Sequence, residues 1–215
     1  MPGMTLYGER GWGSVLVEAQ LDWYGLEFRF REVGDLFKSA EARQELAEVN
    51  PIAQVPTLVM ADGTVMTESA AITLHLAELT GDDSLVPAPG SAERLAFLRW
   101  LVFIVANIYP TYTYGDDPSR FVSGPEAQAD FRQHVDEYRM RLYSVLEEHT
   151  GTPWFLGERF SGIDIYICTL THWEPGREWF ETHAPKLCAI AVASITASTG
   201  MPKSSARSAP EGVPS

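Results

Sequence analysis

The groups in this sequence best suited to chemistry are hydroxyls placed at the starts of helices and a run of tyrosines. Ser14 opens a helical stretch after the glycine-rich loop Arg10-Gly11-Trp12-Gly13. At such a position backbone N–H groups lack intrahelical partners and the helix dipole is positive, so a hydroxyl beside them can stabilise an anion. Tyr7, at the end of a short strand, offers a second acidic hydroxyl. Glu68-Ser69 begins another helix and is a second seat for an anion, with a carboxylate beside it. Tyr109, Tyr112 and Tyr114 form a cluster that either packs a core or lines an apolar pocket, and Trp173 is placed to join it. Each residue also has a plainer reading. Ser14 and Ser69 serve as helix N-caps, Glu68 as an acid complementing the dipole, and Tyr7 as a packed strand aromatic.

Other chemistries lack their residues. His75, His134, His149, His172 and His183 show no metal-ligand spacing, and HExxH, GxGxxG, P-loop and GxSxG patterns are absent. No metal is expected. Cys168 and Cys188 lie in apolar helical surroundings without CxxC spacing and read as two buried, reduced thiols.

The elements that must position these groups follow from periodicity. Met4-Thr5-Leu6-Tyr7 reads as a strand, and Ser14 to Tyr24 as a helix closed by Gly25. Leu26 to Phe30 alternates as a half-buried strand, and a polar helix comes next, from Ser39 to Val49. Thr57–Met60 and Thr64–Thr67 flank the hairpin dipeptide Asp62-Gly63, and Glu68 to Leu79 is a helix ended by Gly81. The order is βαβ, a helix, then ββα. It gives a mixed four-stranded sheet whose first pair is parallel and last pair antiparallel. Residues 82–90, with Pro87, Pro89 and Gly90, read as a linker. Beyond it only helical periodicity remains. A helix spans about Ser91 to Ala106, and Pro110 ends or kinks the segment beyond it. Ser123-Gly124-Pro125-Glu126 reads as a capping box opening a long helix, and Ser161-Gly162-Ile163-Asp164 as another. The expected organisation is a first domain over 1–81, the linker, an all-helical domain over 91–197 and a disordered tail over 198–215 rich in Ser, Pro, Ala and Gly.

Over 215 residues, 45% hydrophobic and 21% charged content is ordinary for a packed globular chain. A net charge of −13 repels phosphate backbones and anionic lipid, which argues against nucleic-acid and membrane-surface partners. Met1-Pro2-Gly3-Met4 leads into a strand without the pattern of a leader, and no apolar run approaches the ~20 residues of a membrane span. A cytoplasmic setting is expected.

Asn50-Pro51-Ile52-Ala53-Gln54-Val55-Pro56-Thr57-Leu58, with Glu68-Ser69-Ala70-Ala71-Ile72 after it, resembles the paired NPxGxVPxL and ESxAI motifs of the cytosolic glutathione transferase family. The resemblance extends over residues 4 to 190. It implies a thioredoxin-like first domain that holds glutathione and a helical-bundle second domain that shapes the site for an electrophile. It further implies a cis Val55–Pro56 peptide, with Pro56 turning the chain so that the Val55 backbone can pair with glutathione as an added strand. Ser69 would take the γ-glutamyl carboxylate and Glu68 its ammonium group. Gln54 stands where the family often has a cation for the glycine carboxylate. Gly13 occupies the position of a catalytic cysteine in bacterial members, which leaves Ser14, with Tyr7 as its rival, to activate the thiol. Asp164 matches a helix-capping signal of the second domain. Trp12, Tyr109 and Tyr112 would line the electrophile pocket. The implied reaction conjugates the glutathione thiolate to a small apolar electrophile without a metal, in a homodimer. The same fold also carries glutathione-dependent isomerases, dehalogenases and non-catalytic binding modules, so fold alone does not select among these.

Overall fold

In the computed structural model residues 3–199 are described. The expected tail over 198–215 therefore falls outside the described residues except for Ser198 and Thr199, which end the last helix. The chain divides into two compact units, the first through Thr80 and the second from Gly81 to Thr199.

The first unit runs β1 (Met4–Gly8), α1 (Val15–Trp23), β2 (Phe28–Glu32), α2 (Ala40–Ala47), β3 (Thr57–Val59), β4 (Val65–Met66) and α3 (Ser69–Thr80). The sheet order is β2-β1-β3-β4. β1 is parallel to β2 and antiparallel to β3, and β3 is antiparallel to β4. This is the thioredoxin-like arrangement with a mixed sheet. Leu6 and Leu58 are fully buried and meet Val17 and Leu21 of α1 and Ile72 and Leu76 of α3. Each such side chain contributes about 1.5–3 kcal/mol by leaving water. α2 is amphipathic only weakly, burying Leu46, and it starts where the Ser39 hydroxyl accepts the Ala42 N–H at 3.1 Å.

The second unit is helical: α4 (Arg94–Phe103), a π-helical turn (Ile104–Ile108), α5 (Tyr109–Asp116), α6 (Pro125–His149), α7 (Gly162–Leu170), α8 (Arg177–His183) and α9 (Pro185–Thr199), with a 3₁₀ turn at Pro118–Arg120. Pro110 neither ends nor sharply breaks the helix before it. The Tyr109 N–H reaches back five residues to the Ile104 carbonyl, and this wide turn carries the chain past a residue that has no N–H of its own. The result is a continuous helical run from Arg94 to Asp116, 23 residues, long and apolar enough to cross a membrane by length and composition. Read in separate segments, the sequence shows no run of that size. Here Phe97, Trp100, Leu101, Ile104 and Ile108 are buried within the unit, as in a core helix.

α7 is nearly all buried from Gly162 to Ile167. Its start is capped by Asp164, whose carboxylate accepts from the N–H of Ser161 at 2.7 Å, the N–H of Phe155 at 2.8 Å and the Ser161 hydroxyl at 3.0 Å. Ser123 does not cap α6; Gly124, at φ 91°, is the capping residue and Pro125 the first helical one. α9 takes its cap from another helix. Glu147 of α6 accepts the N–H groups of Lys186 at 3.1 Å and Leu187 at 3.0 Å. The segment read as a linker packs into this unit: Leu85 and Val86 are buried, and the Leu85 carbonyl accepts the Gly162 N–H at 2.8 Å.

Candidate active site

Strand directions bring four chain segments to one end of the first unit's sheet. β1 and β2 both finish there, at Gly8 and Glu32, which are paired. β3 runs the opposite way and starts there, with Thr57 opposite Tyr7. β4 runs against β3, so it delivers Glu68 and Ser69 to the same end. The loops 9–14, 33–39, 50–56 and 67–69 are therefore neighbours by topology.

The first of these loops is closed by Ser14. Its hydroxyl donates to the Glu9 carbonyl at 3.0 Å and accepts the Glu9 N–H at 3.1 Å, and the residue is 1% exposed. Ser14 thus spends its proton on its own loop, and it makes no side-chain cap to α1. Gly8 is what allows this closure. A Cβ there would lie 2.4 Å from Ser14 Oγ and 2.8 Å from the Phe30 ring. Tyr7 is half-buried, and its hydroxyl accepts from Arg31 Nη1 at 3.3 Å, so its own proton is free to be donated elsewhere. Arg31 also lies over the Tyr7 ring, 5.2 Å from its centre.

The third loop is braced by Asn50, 4% exposed. Its amide donates to the Gln54 carbonyl and to Thr57 Oγ1, each at 3.0 Å, and its oxygen accepts the Ile52 N–H at 3.2 Å. The Thr57 hydroxyl also donates to the Gln54 carbonyl, at 2.8 Å. The Val55–Pro56 peptide is cis. Pro56 is buried, Gln54 exposed and Val55 half-buried. Among the described residues no backbone hydrogen bond engages Val55.

At the fourth loop Glu68 has φ 62°, is exposed, and leads into α3, where Ser69 is 8% exposed. Ala53, at φ 51°, and Glu68 are the non-glycine residues with positive φ among the described residues. Both stand in the loops of this end. Left-handed backbone at a residue with a Cβ costs of order 1–3 kcal/mol and persists where a site needs it.

Of the residues expected to line an electrophile pocket, Trp12 lies in the loop 9–14 of the first unit, its ring centre 5.1 Å from that of Phe37, and Tyr109 and Tyr112 lie in the second unit. Tyr109 sets its ring edge-on to Tyr166 and Trp173, with centres 6.1 and 5.6 Å away. Its hydroxyl is buried without a hydrogen-bond partner, and burial holds the phenol well above its ordinary pKa. Tyr112 is committed. Its hydroxyl meets that of Tyr143 at 2.7 Å and donates to the Glu174 carbonyl at 2.6 Å, while the Arg139 guanidinium lies over its ring at 4.4 Å. Burial pushes the Tyr112 phenol up to about 12. Arg139, 2% exposed and ion-paired with Asp136, is not singled out by the sequence. Its only signal is its place in the buried stripe Val135, Arg139, Leu142, Tyr143, Leu146 of α6. Phe37 is not singled out either, because a single phenylalanine in a polar loop carries no pattern. The two cysteines are unpaired, Cys188 buried and Cys168 half-buried. Among the described residues no cluster of His, Cys, Asp and Glu has metal-binding geometry.

Comparison with known proteins bears on these loops. Residues 17–79 match the family model described as "Glutathione S-transferase, N-terminal domain". The chain is 40% identical over 191 residues to the "Uncharacterized GST-like protein YncG" of Escherichia coli strain K12, spanning 88% of this chain and 91% of that one. It is 29% identical over 174 residues to "Glutathione S-transferase GstA" of Escherichia coli O157:H7, 79% and 82% of the two chains. Among solved structures, a glutathione transferase homologue from Sulfitobacter with bound glutathione superposes with a TM-score of 0.76, covering 94% of this chain and 100% of that one. At 20% identity that likeness is one of fold. With a relative this similar along nearly its whole length, and with the paired motifs set on one end of a thioredoxin-like sheet, the chain belongs to the glutathione S-transferase family.

Proposed function

We propose that the chain binds glutathione across the loop end of its first unit and conjugates the thiolate to a small apolar electrophile. The observation that carries this reading is the unengaged Val55 backbone standing in the same set of loops as the helix start that Glu68 holds in a left-handed turn. The cysteinyl part of glutathione pairs with Val55 behind Pro56. Ser69 and the free N–H groups of α3 take the γ-glutamyl carboxylate, and Glu68 takes its ammonium group. Gln54 reaches the glycine carboxylate by hydrogen bonding alone.

Lowering a thiol from ~8.5 by about two pKa units requires ~2.7 kcal/mol. One hydrogen bond to a charged acceptor contributes about 1.5–3 kcal/mol. We assign this bond to Tyr7 ahead of Ser14. What supports the assignment is that the Ser14 proton is held by the Glu9 carbonyl, whereas the Tyr7 hydroxyl accepts from Arg31 and keeps its proton for the sulfur. The thiolate then attacks the electrophilic carbon. A carbon–sulfur bond forms, and the leaving group departs with the bonding pair or, in an addition, the product carbanion takes a proton from water. For the electrophile the family resemblance assigns Trp12, Tyr109 and Tyr112. Within the second unit the Tyr109 hydroxyl is buried without a partner, and the Tyr112 hydroxyl is held by Tyr143 and Glu174. Leu95 and Val102, seven residues apart on α4 and 79% and 54% exposed, support assembly as a homodimer. Two unpaired cysteines fit a reducing cytoplasm.

Calorimetry with glutathione, followed by thiolate absorbance against pH, tests this. Wild type should bind at millimolar glutathione or below and titrate below ~8.5. Tyr7→Phe should shift the titration up and Ser14→Ala should leave it in place. The reverse pattern returns the assignment to Ser14. Absence of binding overturns the reading. Binding without turnover of any aryl halide or Michael acceptor would make the chain a binding module or an isomerase.

A further inference from the structure

At the loop end of the first unit the cations are confined to one side and already engaged. From Gln44 to Thr80 the chain carries no lysine or arginine, against five acids, Glu45, Glu48, Asp62, Glu68 and Glu78. The cations near the loop end come from the β1 and β2 side, as Arg10, Arg31, Lys38 and Arg43; Arg29 stands farther back on β2, opposite Thr5. Arg10 lies 3.7 Å from Glu32, and Lys38 lies 2.8 Å from Asp35. Arg31 donates to the Tyr7 hydroxyl at 3.3 Å, and Arg43 to the carbonyls of Leu36 at 2.6 Å and Phe37 at 3.2 Å. A free carboxylate arriving here gains a cation only by displacing a group that already holds it, so the exchange yields little.

One acid at this end has the opposite need. Glu9 Oε2 is buried with no hydrogen-bond partner among the described residues. A buried carboxylate oxygen without a donor is a cost to the fold that a ligand bringing an N–H would remove. The Glu9 backbone is held in place, because its N–H and its carbonyl are both bonded to the Ser14 hydroxyl. β1 and β3 pair as Thr5 with Val59, Leu6 with Leu58 and Tyr7 with Thr57. Continued by two residues, this antiparallel register sets Glu9 opposite Val55, the residue proposed to take the cysteinyl part of glutathione. Gln54, next to Val55, is exposed, and its side-chain amide makes no hydrogen bond among the described residues. It offers a donor and an acceptor together, so it serves an amide as well as a carboxylate. With the γ-glutamyl group at Glu68 and Ser69, beside β4, the far end of a tripeptide paired with Val55 points toward the loops after β1 and β2. That end meets an acid short of a donor and cations already engaged.

We propose that this seat prefers glutathione whose glycine carboxylate is capped as an amide, with Glu9 as the specificity-determining residue that accepts the amide N–H. This rests on glutathione binding at the same loops. Calorimetry compares glutathione, its glycine monoethyl ester and its glycine primary amide on wild type, Glu9→Gln and Gln54→Lys. Wild type should bind the amide about tenfold more tightly than glutathione, the scale of one hydrogen bond to a charged group. The ester removes the charge but brings no N–H, and should fall between the two. Glu9→Gln should remove most of the preference for the amide. Gln54→Lys supplies an unengaged cation and should shift the order toward free glutathione by up to about fivefold. If wild type binds the peptides but holds the amide no more tightly than glutathione or the ester, this proposal alone is overturned. A preference that survives Glu9→Gln also overturns it, by placing the contact elsewhere. Failure of wild type to bind any of the three removes the underlying reading and this proposal with it.

Discussion

The two units bury polar groups in opposite ways. In the first, the bonds that close the loops are short-range: Ser14 to Glu9, Asp35 to Phe37 and Lys38, Asn50 to Ile52, Gln54 and Thr57. Each closes a loop on itself and leaves backbone such as that of Val55 open to a ligand. In the second, the bonds span the sequence. Tyr112 reaches Tyr143, 31 residues away, and Glu174, 62 away; Glu147 caps a helix 39 residues on. Such bonds tie helices together and are sealed inside the unit. A site needs rigid but unfinished loops, whereas a frame needs bonds that join one helix to another. The comparison predicts that substitutions in the second unit chiefly alter stability and those in the first chiefly alter binding.

The sharpest test removes Asp164. Asp164→Ala orphans the buried N–H groups of Phe155 and Ser161 and should destabilise the fold by about 3–5 kcal/mol in urea unfolding. Its pH dependence has a definite sign. Burial raises the Asp164 carboxyl from 3.8 to about 6, so the folded state keeps a proton that the unfolded state has lost. That contribution is fully present below pH ~4 and is lost as pH rises to about 6, an effect of about 2–3 kcal/mol. Asp164→Asn should flatten the unfolding midpoint across this window; an unchanged profile would place the proton elsewhere.

Next in size is Asp136→Ala, which strands the buried Arg139 guanidinium. Breaking a buried pair costs about 3–5 kcal/mol, and because Asp136 is itself 31% exposed we expect about 2–3. Arg139→Met paired with Asp136→Ala should recover part of the loss, as a double-mutant cycle would measure. Asn50→Ala should cost about 2 kcal/mol and weaken glutathione at least about tenfold, since the turn before Pro56 loses its brace. Tyr112→Phe, of similar or smaller cost, should leave glutathione affinity alone. If Tyr112→Phe weakened glutathione as much as Asn50→Ala, the division of labour between the units would fail. The smallest stability change belongs to Glu68→Gly. Glycine accepts φ 62° without strain but loses more entropy on folding, so the net change should stay within about 1 kcal/mol. On the proposed binding mode glutathione affinity should nonetheless fall several-fold, because the carboxylate assigned to its ammonium group is gone.

What was legible in advance was local. Alternation at Leu26–Phe30, the Asp62-Gly63 turn and the Ser161–Asp164 cap are decided within a few residues; the turn and the cap stand where their chemistry says, and the strand is found two residues later, at Phe28–Glu32. The Asn50–Leu58 and Glu68–Ile72 motifs are local as well, and with the strand order they were enough to indicate the family. Missed or misread features depended on partners distant in sequence. Pro110 reads as an end or a kink because a wide turn cannot be inferred from the residues that make it. Ser14 stood at a helix start, and only the folded loop returns its hydroxyl to Glu9 instead of leaving it free. Arg139 and Phe37 break the ordinary rules of burial in opposite directions, one charged and inside, the other apolar and outside. By itself the sequence determined the elements, their order and the motif that marks a glutathione seat, because those follow from backbone preference and short spacings. Tertiary structure alone decided which hydroxyl keeps a free proton, which tyrosine is locked and which aromatic faces outward. Those outcomes depend on the groups that packing brings within hydrogen-bonding or van der Waals reach of each one.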